Sequence, residues 1–512
     1  MFDLGRTLAA AVDRDPGATA IVDGDLRLDY AGWFQRICNL AGGLGETGLR
    51  HGDRLLTALQ NNHAAASIHW ACQMAGITIV PVNWRVTAEE LDFFIENSGA
   101  KALMFDASSI EAVAASKQAA TLPLIAHEAT LGSAVAYADM AVTASPVSGP
   151  VASAQDWSVM LYTSGTTARP KGVPRRHRAE RAGAVAHIAQ NMMPSRDRTL
   201  GVMPLYHTMG VRSLIVMTLL GGCFVCLPRF NAATALRLIE EERIASLYLV
   251  PTLYHDLLAD SSFASTDLSG VRRLGFAGAS MTDGLLKKIN EAFAPELFVN
   301  HYGSSEIYTF TIEQDAVRKP GSAGKAGLNQ HIRVVEMDAR DPDRIAPAGT
   351  EGQIIASMRS DEAFESYWQR PDADEKSIIG GWYFTGDSGR FDEDGDLFVT
   401  GRVDDMIITG GENVSPVEVE SCLSLHPAVD EAAVVGLPDE RWGKTVTAFV
   451  KRKQSVSPQE LDEHCRNSGL ANFKRPRRIV FVTELPKSPV GKLLRRHLVA
   501  GEYKPEPDQS AE

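Results

Sequence analysis

The chain has few cysteines and no long hydrophobic segment. Six cysteines occur in 512 residues, which suits a reducing cytoplasm. The longest apolar run, residues 214–227, is broken by Gly221-Gly222 and is too short to span a bilayer. The first fifteen residues lack the apolar stretch of a secretory signal, and the last five carry no peroxisomal address. We therefore expect a cytoplasmic protein without membrane insertion.

Positive charge is also scarce, because 51 lysines and arginines face 64 aspartates and glutamates. The net charge of −13 argues against nucleic acid as a partner. A basic stretch at residues 473–478 is nevertheless able to bind a small anionic ligand.

The pair Cys223-x-x-Cys226 lacks the further ligands that a zinc site requires. No second pair lies near it in the sequence, and zinc sites use about four ligands. We expect two buried thiols on a core strand.

Helical and strand patterns alternate along the first 320 residues. A helix is indicated at residues 70–76, ending at a glycine. Strands are predicted at residues 77–82, 102–105, 159–162, 247–250 and 273–277. This alternation predicts an α/β fold with parallel strands. The Ala-, Ser- and Pro-rich residues 128–155 are expected to form a surface connection.

The pattern changes twice after that. Glycines and short alternating runs from about residue 321 to 400 predict a β-barrel-like subdomain or twisted sheet. Strands at residues 432–436 and 448–450 and a helix at 458–467 predict a separate small α+β domain.

A loop at residues 163–172, Thr-Ser-Gly-Thr-Thr-Ala-Arg-Pro-Lys-Gly, follows an apolar strand. Its backbone N–H groups and hydroxyls can surround phosphate oxygens while Lys171 adds charge. It is not a Walker A loop, because Lys171 lies between Pro170 and Gly172 instead of between Gly and Ser or Thr. A polar surface loop is the alternative interpretation.

This loop resembles the phosphate loop of the adenylate-forming enzymes, which include acyl-CoA synthetases, luciferases and peptide-synthetase adenylation domains. Five further segments resemble the motifs of that superfamily in the same order: 204–207 (Pro-Leu-Tyr-His), 301–306 (His-Tyr-Gly-Ser-Ser-Glu), 382–387 (Trp-Tyr-Phe-Thr-Gly-Asp), 401–413 and 486–492. Together they span nearly the whole chain. Within the superfamily the chain is most similar to bacterial chlorobenzoate–CoA ligase and related aryl-acid CoA ligases.

The resemblance implies a carboxylate–CoA ligase that works in two steps. Acid and ATP give acyl-AMP and pyrophosphate, and acyl-AMP and coenzyme A then give acyl-CoA and AMP. Because negative charge spreads over the transferring phosphoryl group, a cationic side chain and Mg²⁺ should stabilise the transition state. The resemblance implies that Lys492 is this cationic side chain and that Glu306 and Thr167 bind the Mg²⁺.

The nucleotide site implied by the resemblance draws on five of the six segments and on residues 278 and 279. Tyr302 is expected to pack on adenine, and Asp387 to accept hydrogen bonds from the ribose. The implied ATP and AMP residues are Thr163, Ser164, Gly165, Thr166, Thr167, Lys171, Gly278, Ala279, His301, Tyr302, Gly303, Ser304, Asp387, Arg402 and Lys492.

The resemblance also implies that a mobile C-terminal domain, residues 403–512, rotates about Asp404 against an N-terminal domain, residues 1–402. Lys492 then leaves the site and the loop at 410–412 enters, where glycines let the backbone approach pantetheine. Stacking rings and basic side chains are expected to bind coenzyme A: Gly410, Gly411, Glu412, Trp442, Phe473, Lys474, Arg475 and Arg85.

The implied acid pocket mixes small, apolar and aromatic residues: His207, Thr208, Met209, Gly210, Ala279, Gly303, Tyr308 and Thr309. His207 also counts among the catalytic residues. A flat slot of this kind favours an aryl or small cyclic carboxylate such as benzoate, chlorobenzoate or furoate. A medium- or long-chain fatty acid is the alternative, although Tyr308 would close the tunnel it needs. An amino acid fits less well, because residues 200–229 contain no acidic partner for its ammonium.

Other functions stay open. A kinase-like phosphotransferase would release ADP, and a luciferase-like oxygenase would share these motifs. A non-enzymatic ligand sensor would be expected to lack Lys492 or Glu306. The oligomeric state, including a homodimer, is also open.

Overall fold

The computed structural model describes residues 2–163, 170–488 and 493–507, and the backbone alone at residues 404 and 413. The helices are α1 (Leu4–Arg14), α2 (Tyr30–Glu46), α3 (His63–Ala75), α4 (Ala88–Ser98), α5 (Ile110–Ala115), α6 (Tyr137–Thr143), α7 (His177–Gln190), α8 (Thr208–Leu220), α9 (Ala232–Glu241), α10 (Pro251–Ala259), α11 (Asp283–Phe293), α12 (Pro371–Ser377), α13 (Pro416–Ser424), α14 (Pro458–Asn467) and α15 (Arg495–Val499). Short 3₁₀ turns lie at Ala119–Thr121, Phe263–Ser265 and Val403–Asp405.

The strands before the C-terminal unit are β1 (Thr19–Asp23), β2 (Leu26–Asp29), β3 (Arg54–Ala58), β4 (Thr78–Pro81), β5 (Ala102–Asp106), β6 (Leu124–His127), β7 (Val135–Ala136), β8 (Trp157–Thr163), β9 (Lys171–Arg176), β10 (Arg198–Gly201), β11 (Cys223–Cys226), β12 (Ser246–Leu249), β13 (Arg273–Phe276), β14 (Leu297–Tyr302), β15 (Thr311–Glu313), β16 (Ser322–Ala326), β17 (Ile332–Val335), β18 (Gly352–Ser357), β19 (Ile378–Ile379), β20 (Trp382–Phe391) and β21 (Leu397–Arg402). The remaining strands are β22 (Ile407–Thr409), β23 (Glu412–Val414), β24 (Val429–Asp439), β25 (Gly443–Arg452), β26 (Arg478–Glu484) and β27 (Lys504–Pro505).

The first sheet has the strand order β7-β6-β5-β3-β4-β8-β9. Its strands run parallel except β9, which returns antiparallel to β8. Every residue of β4 and β5 is buried, as expected for parallel strands covered on both faces. Helix α3 ends at Gly76, which has a φ of 66°. The helix and the three strands predicted in this part of the chain, which correspond to α3, β4, β5 and β8, are therefore confirmed.

The second sheet has a parallel part in the order β14-β13-β12-β10-β11-β1. Strands β12, β13 and β14 end side by side, with Leu249 opposite Phe276 and Phe276 opposite Asn300. The loops that follow these strands therefore leave the same edge of the sheet, where ligands bind in open α/β sheets.

An antiparallel part, β15-β16-β21-β20-β18-β17, continues the second sheet beyond β14. It contains the strands expected between residues 321 and 400, and these strands extend the second sheet. Because β20 and β21 pair antiparallel, Asp387 lies opposite Arg402.

The main hydrophobic core lies between the two sheets. It joins Leu55 and Met104 of the first sheet to Ile21 and Phe224 of the second through side chains of α1, α2, α3 and α8, and Trp33 and Trp70 are its largest side chains. Helix α8 is buried along most of its length, which explains its nearly continuous apolar sequence.

The C-terminal unit is a four-stranded sheet, β24-β25-β26-β27, packed on α13 and α14. Its strands include the two predicted ones, and α14 has the bounds predicted for the helix. The fold is thus a large N-terminal domain of α/β layers with a small α+β domain after it, as the sequence predicted.

One expectation about the fold is wrong. Residues 128–155 are not only a surface connection, because they contain β7 and α6. Helix α6 buries Tyr137, Met140 and Ala141 in the core. These three residues have the i, i+3, i+4 spacing of a helix face, a signal hidden by the Ala-, Ser- and Pro-rich composition.

The expectation for the cysteines is confirmed. Cys223 and Cys226 lie on β11, and all six cysteines, each within the described ranges, are buried and free. Over those same ranges, no helix has the length and apolar character needed to cross a membrane.

Candidate active site

A cavity of about 1770 Å³ lies at the edge of the second sheet where β12, β13 and β14 end. Its wall combines the loops after these strands with the N-terminus of α8, with β20 and with the C-terminal unit. The predicted residues that line it, within the described ranges, are Thr163, Lys171, His207, Thr208, Met209, Gly278, Ala279, His301, Tyr302, Gly303, Ser304, Glu306, Tyr308, Asp387 and Arg402. The fold therefore gathers segments from the whole chain into one cleft.

Asp387 is held by two neighbours at one end of the cavity. The Tyr302 hydroxyl donates to Asp387 Oδ2 over 2.6 Å, and Arg402 Nη1 donates to Asp387 Oδ1 over 2.8 Å. Burial alone would lower the pKa of Arg402, but the interactions with the Asp387 carboxylate outweigh burial, so the pKa of Arg402 is raised. Burial, with the same carboxylate, raises the pKa of Tyr302 well above its usual value. Asp387 is thus fixed as an acceptor for hydroxyl groups.

Glu306 is a buried carboxylate that faces the middle of the cavity. It is 5% exposed, and the Tyr367 hydroxyl donates to its Oε1 over 2.6 Å. Lys171 Nζ lies 4.0 Å from the centroid of the Tyr367 ring. Burial lowers the pKa of Lys171, and the charge of Glu306 acts against that shift. A hard carboxylate donor here fits Mg²⁺.

The backbone beside Glu306 is held by a buried arginine. Arg175 Nη1 donates to the carbonyl oxygens of Ser305 and Glu306, both over 3.0 Å, and its Nε pairs with Glu180. Its Nη2 donates to the carbonyl oxygen of Glu362 over 2.8 Å. Arg175 therefore positions the loop that carries the carboxylate.

His207 begins the acid side of the cavity as the N-cap of α8. Its Nδ1 accepts a hydrogen bond from the Met209 N–H over 3.4 Å. Two predicted lining residues lie behind the wall instead. A Cβ on Gly210 would lie 2.2 Å from the carbonyl oxygen of Pro204, so this glycine packs on backbone. Thr309 is 1% exposed and its hydroxyl accepts a hydrogen bond from Arg212.

The Tyr308 ring lies between two guanidinium groups. Arg175 Cζ is 3.7 Å and Arg212 Cζ is 4.8 Å from the ring centroid. The Tyr308 hydroxyl donates to Glu180 Oε2 over 2.9 Å. Burial raises the pKa of Tyr308 well above its usual value. This phenol is therefore a fixed wall of the acid side.

His301 lies deeper in the cavity wall. Its ring is 3% exposed, stacks on His187 at 4.9 Å and makes a hydrogen bond of 3.1 Å through Nε2 to Asn191 Oδ1. Burial lowers the pKa of both histidines well below the usual value, so both rings are neutral near pH 7.

The C-terminal unit covers the cavity with residues on both sides of position 492. Lys487, Ser488, Leu493, Leu494 and Arg495 all line it. Lys492 itself lies outside the described residues, as do four predicted residues of the phosphate loop: Ser164, Gly165, Thr166 and Thr167. The backbone of Asp404 lies in the 3₁₀ turn between β21 and β22.

Part of the predicted coenzyme A surface is formed by the hairpin β22–β23. Its turn residues, Gly410 and Gly411, have φ values of 58° and 87°, which favour glycine. The Gly410 N–H donates to the Trp442 carbonyl oxygen over 2.9 Å, and the Trp442 side chain is 47% exposed. Glu412 begins β23. These residues lie together and are not among the residues that line the cavity.

The basic stretch at 473–478 differs from the expectation of free cations. Arg475 is 5% exposed and its guanidinium donates to Asp462 and Asn472. Lys474 pairs with Glu418 over 2.7 Å. Phe473 is 40% exposed. Arg85 stacks on its neighbour Trp84 at 3.7 Å. In this arrangement Arg475 and Lys474 hold the C-terminal unit together.

Sequence reasoning missed Arg175, Arg212, Glu362 and Tyr367. Of these four, only Arg212 could have been recognised from the sequence, because it is the sole charged residue among the thirteen residues of α8. A charge in the middle of an apolar helix is costly without a partner. The other three are recognised only by their contacts.

Comparison with known proteins identifies the family. The AMP-binding enzyme family model matches residues 8–368, and the AMP-binding enzyme C-terminal domain model matches residues 418–492. This chain belongs to the AMP-binding enzyme family.

Several family members are similar over nearly their whole length. A 4-chlorobenzoate–CoA ligase of Arthrobacter sp is 34% identical over 498 residues, 96% of this chain and 94% of the relative. The long-chain-fatty-acid–CoA ligase FadD13 of Mycobacterium tuberculosis is 31% identical over 97% of each chain. The structure of the anthranilate CoA ligase AuaEII with anthranoyl-AMP has a TM-score of 0.91 at 26% identity, covering 98% of this chain and 97% of that one.

The family membership confirms the predicted enzyme class and cofactors. The protein is an AMP-forming acid–thiol ligase that adenylates a carboxylic acid, transfers the acyl group to coenzyme A, and uses ATP and Mg²⁺.

Proposed function

We propose that the acid is an aryl or small cyclic carboxylate, such as benzoate, a substituted benzoate or furoate. The main support is the acid side of the cavity, where Tyr248 and Tyr308 lie with the small residues Gly278, Ala279 and Gly303. The flat tyrosine rings, and the space beside glycine and alanine residues, suit a planar acid. Two relatives act, by their names, on 4-chlorobenzoate and anthranilate.

A medium- or long-chain fatty acid is the second candidate, favoured by the similarity to FadD13. A long chain needs an open end to the pocket. Tyr308 is fixed there by two arginines and by its hydrogen bond to Glu180, so moving it would break three contacts. This supports the shorter acid.

In the first step, the carboxylate oxygen attacks the α-phosphorus and pyrophosphate leaves. We assign the ribose hydroxyls to Asp387 and the phosphates to Lys171 and the loop at 163–169. Glu306 would hold Mg²⁺, which supplies charge for the leaving pyrophosphate. Lys492 is assigned to the acid and the α-phosphate, because residues on both sides of it line the cavity.

In the second step, the coenzyme A thiol attacks the acyl-AMP carbonyl and AMP leaves. The hairpin turn at Gly410-Gly411 is not among the residues that line the cavity, so it would have to approach for this step. We propose that residues 403–512 rotate about Asp404 against residues 1–402, so that the hairpin replaces residues 487, 488 and 493–496 at the cavity. A cytoplasmic location belongs to the same proposal, because free cysteines suit a reducing compartment.

A panel of carboxylates assayed for pyrophosphate release tests the substrate proposal. The panel contains benzoate, chlorobenzoates, furoate, hexanoate and palmitate, each with and without coenzyme A. We expect aryl and cyclic acids to give the higher kcat/KM. Preference for palmitate would overturn the choice of acid but not the ligase, whereas ADP release or light emission would point to another activity.

The variant Lys492→Ala tests the assignment of the first step. Removing the cation that meets the α-phosphate should lower the rate of adenylate formation by about 100-fold or more, the range for lost transition-state charge stabilisation. Single-turnover formation of acyl-AMP measures this. Lys487→Ala, which changes a lysine five positions earlier in the chain, is the comparison, and adenylate formation at the wild-type rate in Lys492→Ala would reject the assignment.

A further inference from the structure

Arg212 is a buried cation in the wall of the acid pocket. It is 2% exposed, lines the cavity and is the sole charged residue of α8. It follows Thr208 by four residues, so the two lie on the same face of the helix. Arg212 therefore lies one helical turn beyond the residues at the start of the acid pocket.

The hydrogen-bonding capacity of Arg212 is largely unused. A guanidinium has five N–H donors, and across the described ranges Arg212 makes one hydrogen bond, from Nη1 to Thr309 Oγ1 over 3.2 Å. Its buried Nε has no partner there, and no carboxylate oxygen of those residues lies within 4.0 Å of its nitrogens. The Glu362 carboxyl accepts from Asn329 over 3.2 Å. Burial raises the pKa of Glu362, and the charge of Arg212 acts against that shift without a direct hydrogen bond between the two side chains.

Arg175 shows how the same fold treats a structural arginine. Its Nε pairs with Glu180, and both of its terminal nitrogens donate to backbone carbonyl oxygens. Both arginines lie against the Tyr308 ring and are buried. Since a buried guanidinium is stable only with acceptors around it, the unused donors of Arg212 indicate a ligand.

We propose that Arg212 binds a second carboxylate of the acid substrate, at the end remote from the carboxylate that is adenylated. The inference rests on the proposed function and narrows it to aryl dicarboxylic acids. A carboxylate can accept two parallel hydrogen bonds from a guanidinium, and the rings of Tyr248 and Tyr308 provide flat walls for the aryl group between the two ends. An amino acid is disfavoured, because its ammonium would meet a like charge.

Matched acids test this binding. Pyrophosphate release is measured for benzoate, for the three benzenedicarboxylates and for their monomethyl esters, which keep the shape but lose the second charge. For the best positional isomer we expect wild-type kcat/KM to be at least tenfold higher for the diacid than for its monoester. Arg212→Met should abolish this preference for the diacid over its monoester, and Arg212→Lys should retain part of it. Arg237→Met, on the surface helix α9, is the control and should leave it unchanged.

The outcomes separate this inference from the proposed function. Turnover of benzoate and the monoesters at least equal to that of every diacid in the wild-type enzyme overturns the role of Arg212 while leaving an aryl-acid ligase. Turnover of none of the aryl acids overturns both. An unchanged ratio in Arg212→Met, with wild-type Tm and ATP binding, also overturns it. The wild-type ratio needs no variant, so a variant that fails to fold does not block the test.

Discussion

The Tyr367 hydroxyl orients the carboxylate that we assign to the metal. It donates to Glu306 Oε1 over 2.6 Å, and both side chains are buried. In Tyr367→Phe the carboxylate loses this donor and turns more freely. We expect Mg²⁺ affinity to fall about 10–100-fold, the range for partners that orient metal-binding side chains. The Mg²⁺ dependence of pyrophosphate release measures the change.

Tyr30→Phe is the matched control for this variant. The Tyr30 hydroxyl is also buried and donates to the carbonyl oxygens of Met217 and Gly222. Its loss should lower Tm without changing the Mg²⁺ dependence. A wild-type Mg²⁺ dependence in Tyr367→Phe would exclude Tyr367 from the site.

Among single residues, the sequence predicts as site residues those that belong to a contiguous motif. Glu306, Asp387 and Arg402 lie in such segments, and the fold brings them to one cavity. Tyr367 and Arg212 could not be placed, because their contacts join residues 61 and 97 positions apart. Arg475 shows the opposite error, since a basic stretch suggests solvent exposure but Asp462 binds the guanidinium in a buried position.

The start of helix α8 is the element on which the acid side depends. Gly210 allows the helix to lie against the backbone of the preceding segment, where a Cβ would be 2.2 Å from Pro204 O and 2.4 Å from Met203 O. Gly210→Ala must displace the helix start. We expect a loss of at least about 1–3 kcal/mol in stability and a higher KM for the acid, measured by thermal unfolding and by pyrophosphate release.

Gly45→Ala provides the comparison for Gly210→Ala. Gly45 is also helical, in α2, and a Cβ there meets no atom within 4 Å. The alanine should stabilise the helix by up to about 1 kcal/mol. Equal effects of the two substitutions on Tm would show that α8 tolerates a shift at its start.

The helices and strands that the sequence predicts are those with local signals, such as capping residues or a clear apolar face. Helix α14 has the predicted bounds, because Ser457 and Glu460 form a capping box and Pro458 occupies the first turn. Helix α6 was missed because its apolar face has only three residues in an Ala-rich stretch. The order of strands in the large sheet, with residues 321–400 continuing the parallel part, depends on contacts between distant segments and has no local signal.

The two units of the molecule are joined by the 3₁₀ turn Val403–Asp405. Proline restricts φ to about −65°, so Asp404→Pro should hinder rotation about this turn. We expect adenylate formation near the wild-type rate and a loss confined to thioester formation, because hinge residues absorb the φ/ψ change of a domain motion. Separate single-turnover assays of the two steps measure this. Equal losses in both steps would count against the hinge.

An ion pair between the units accompanies the arrangement in which residues 487, 488 and 493–496 line the cavity. His255 Nε2 of α10 lies 3.0 Å from Asp430 Oδ1 of β24. Hydrogen bonds with Asp256 and Asp430 raise the pKa of His255 to about 9. Glu431 adds to this shift, while Lys451 and Lys453 also pair with Asp430. Asp256 lies on α10 beside His255, so only the part of the shift that comes from Asp430 and Glu431 belongs to the docked state. That part stabilises docking while His255 is protonated and is lost as the pH rises through about 9.

Docking of the C-terminal unit should therefore weaken between pH 7 and pH 10, and His255→Gln should remove most of that dependence. The buried native cysteines permit fluorescent labelling at Val142→Cys and Val499→Cys, both exposed positions on different units, so energy transfer reports docking. We expect His255→Gln to lose about 1–2 kcal/mol of docking free energy at pH 7, because a neutral amide keeps at most the hydrogen bond. His331→Gln, an exposed histidine elsewhere, should behave like the wild type. The same pH profile in His255→Gln and wild type would show that other contacts, such as Gly284 N–H with Ser424 Oγ over 3.3 Å, hold the units together instead.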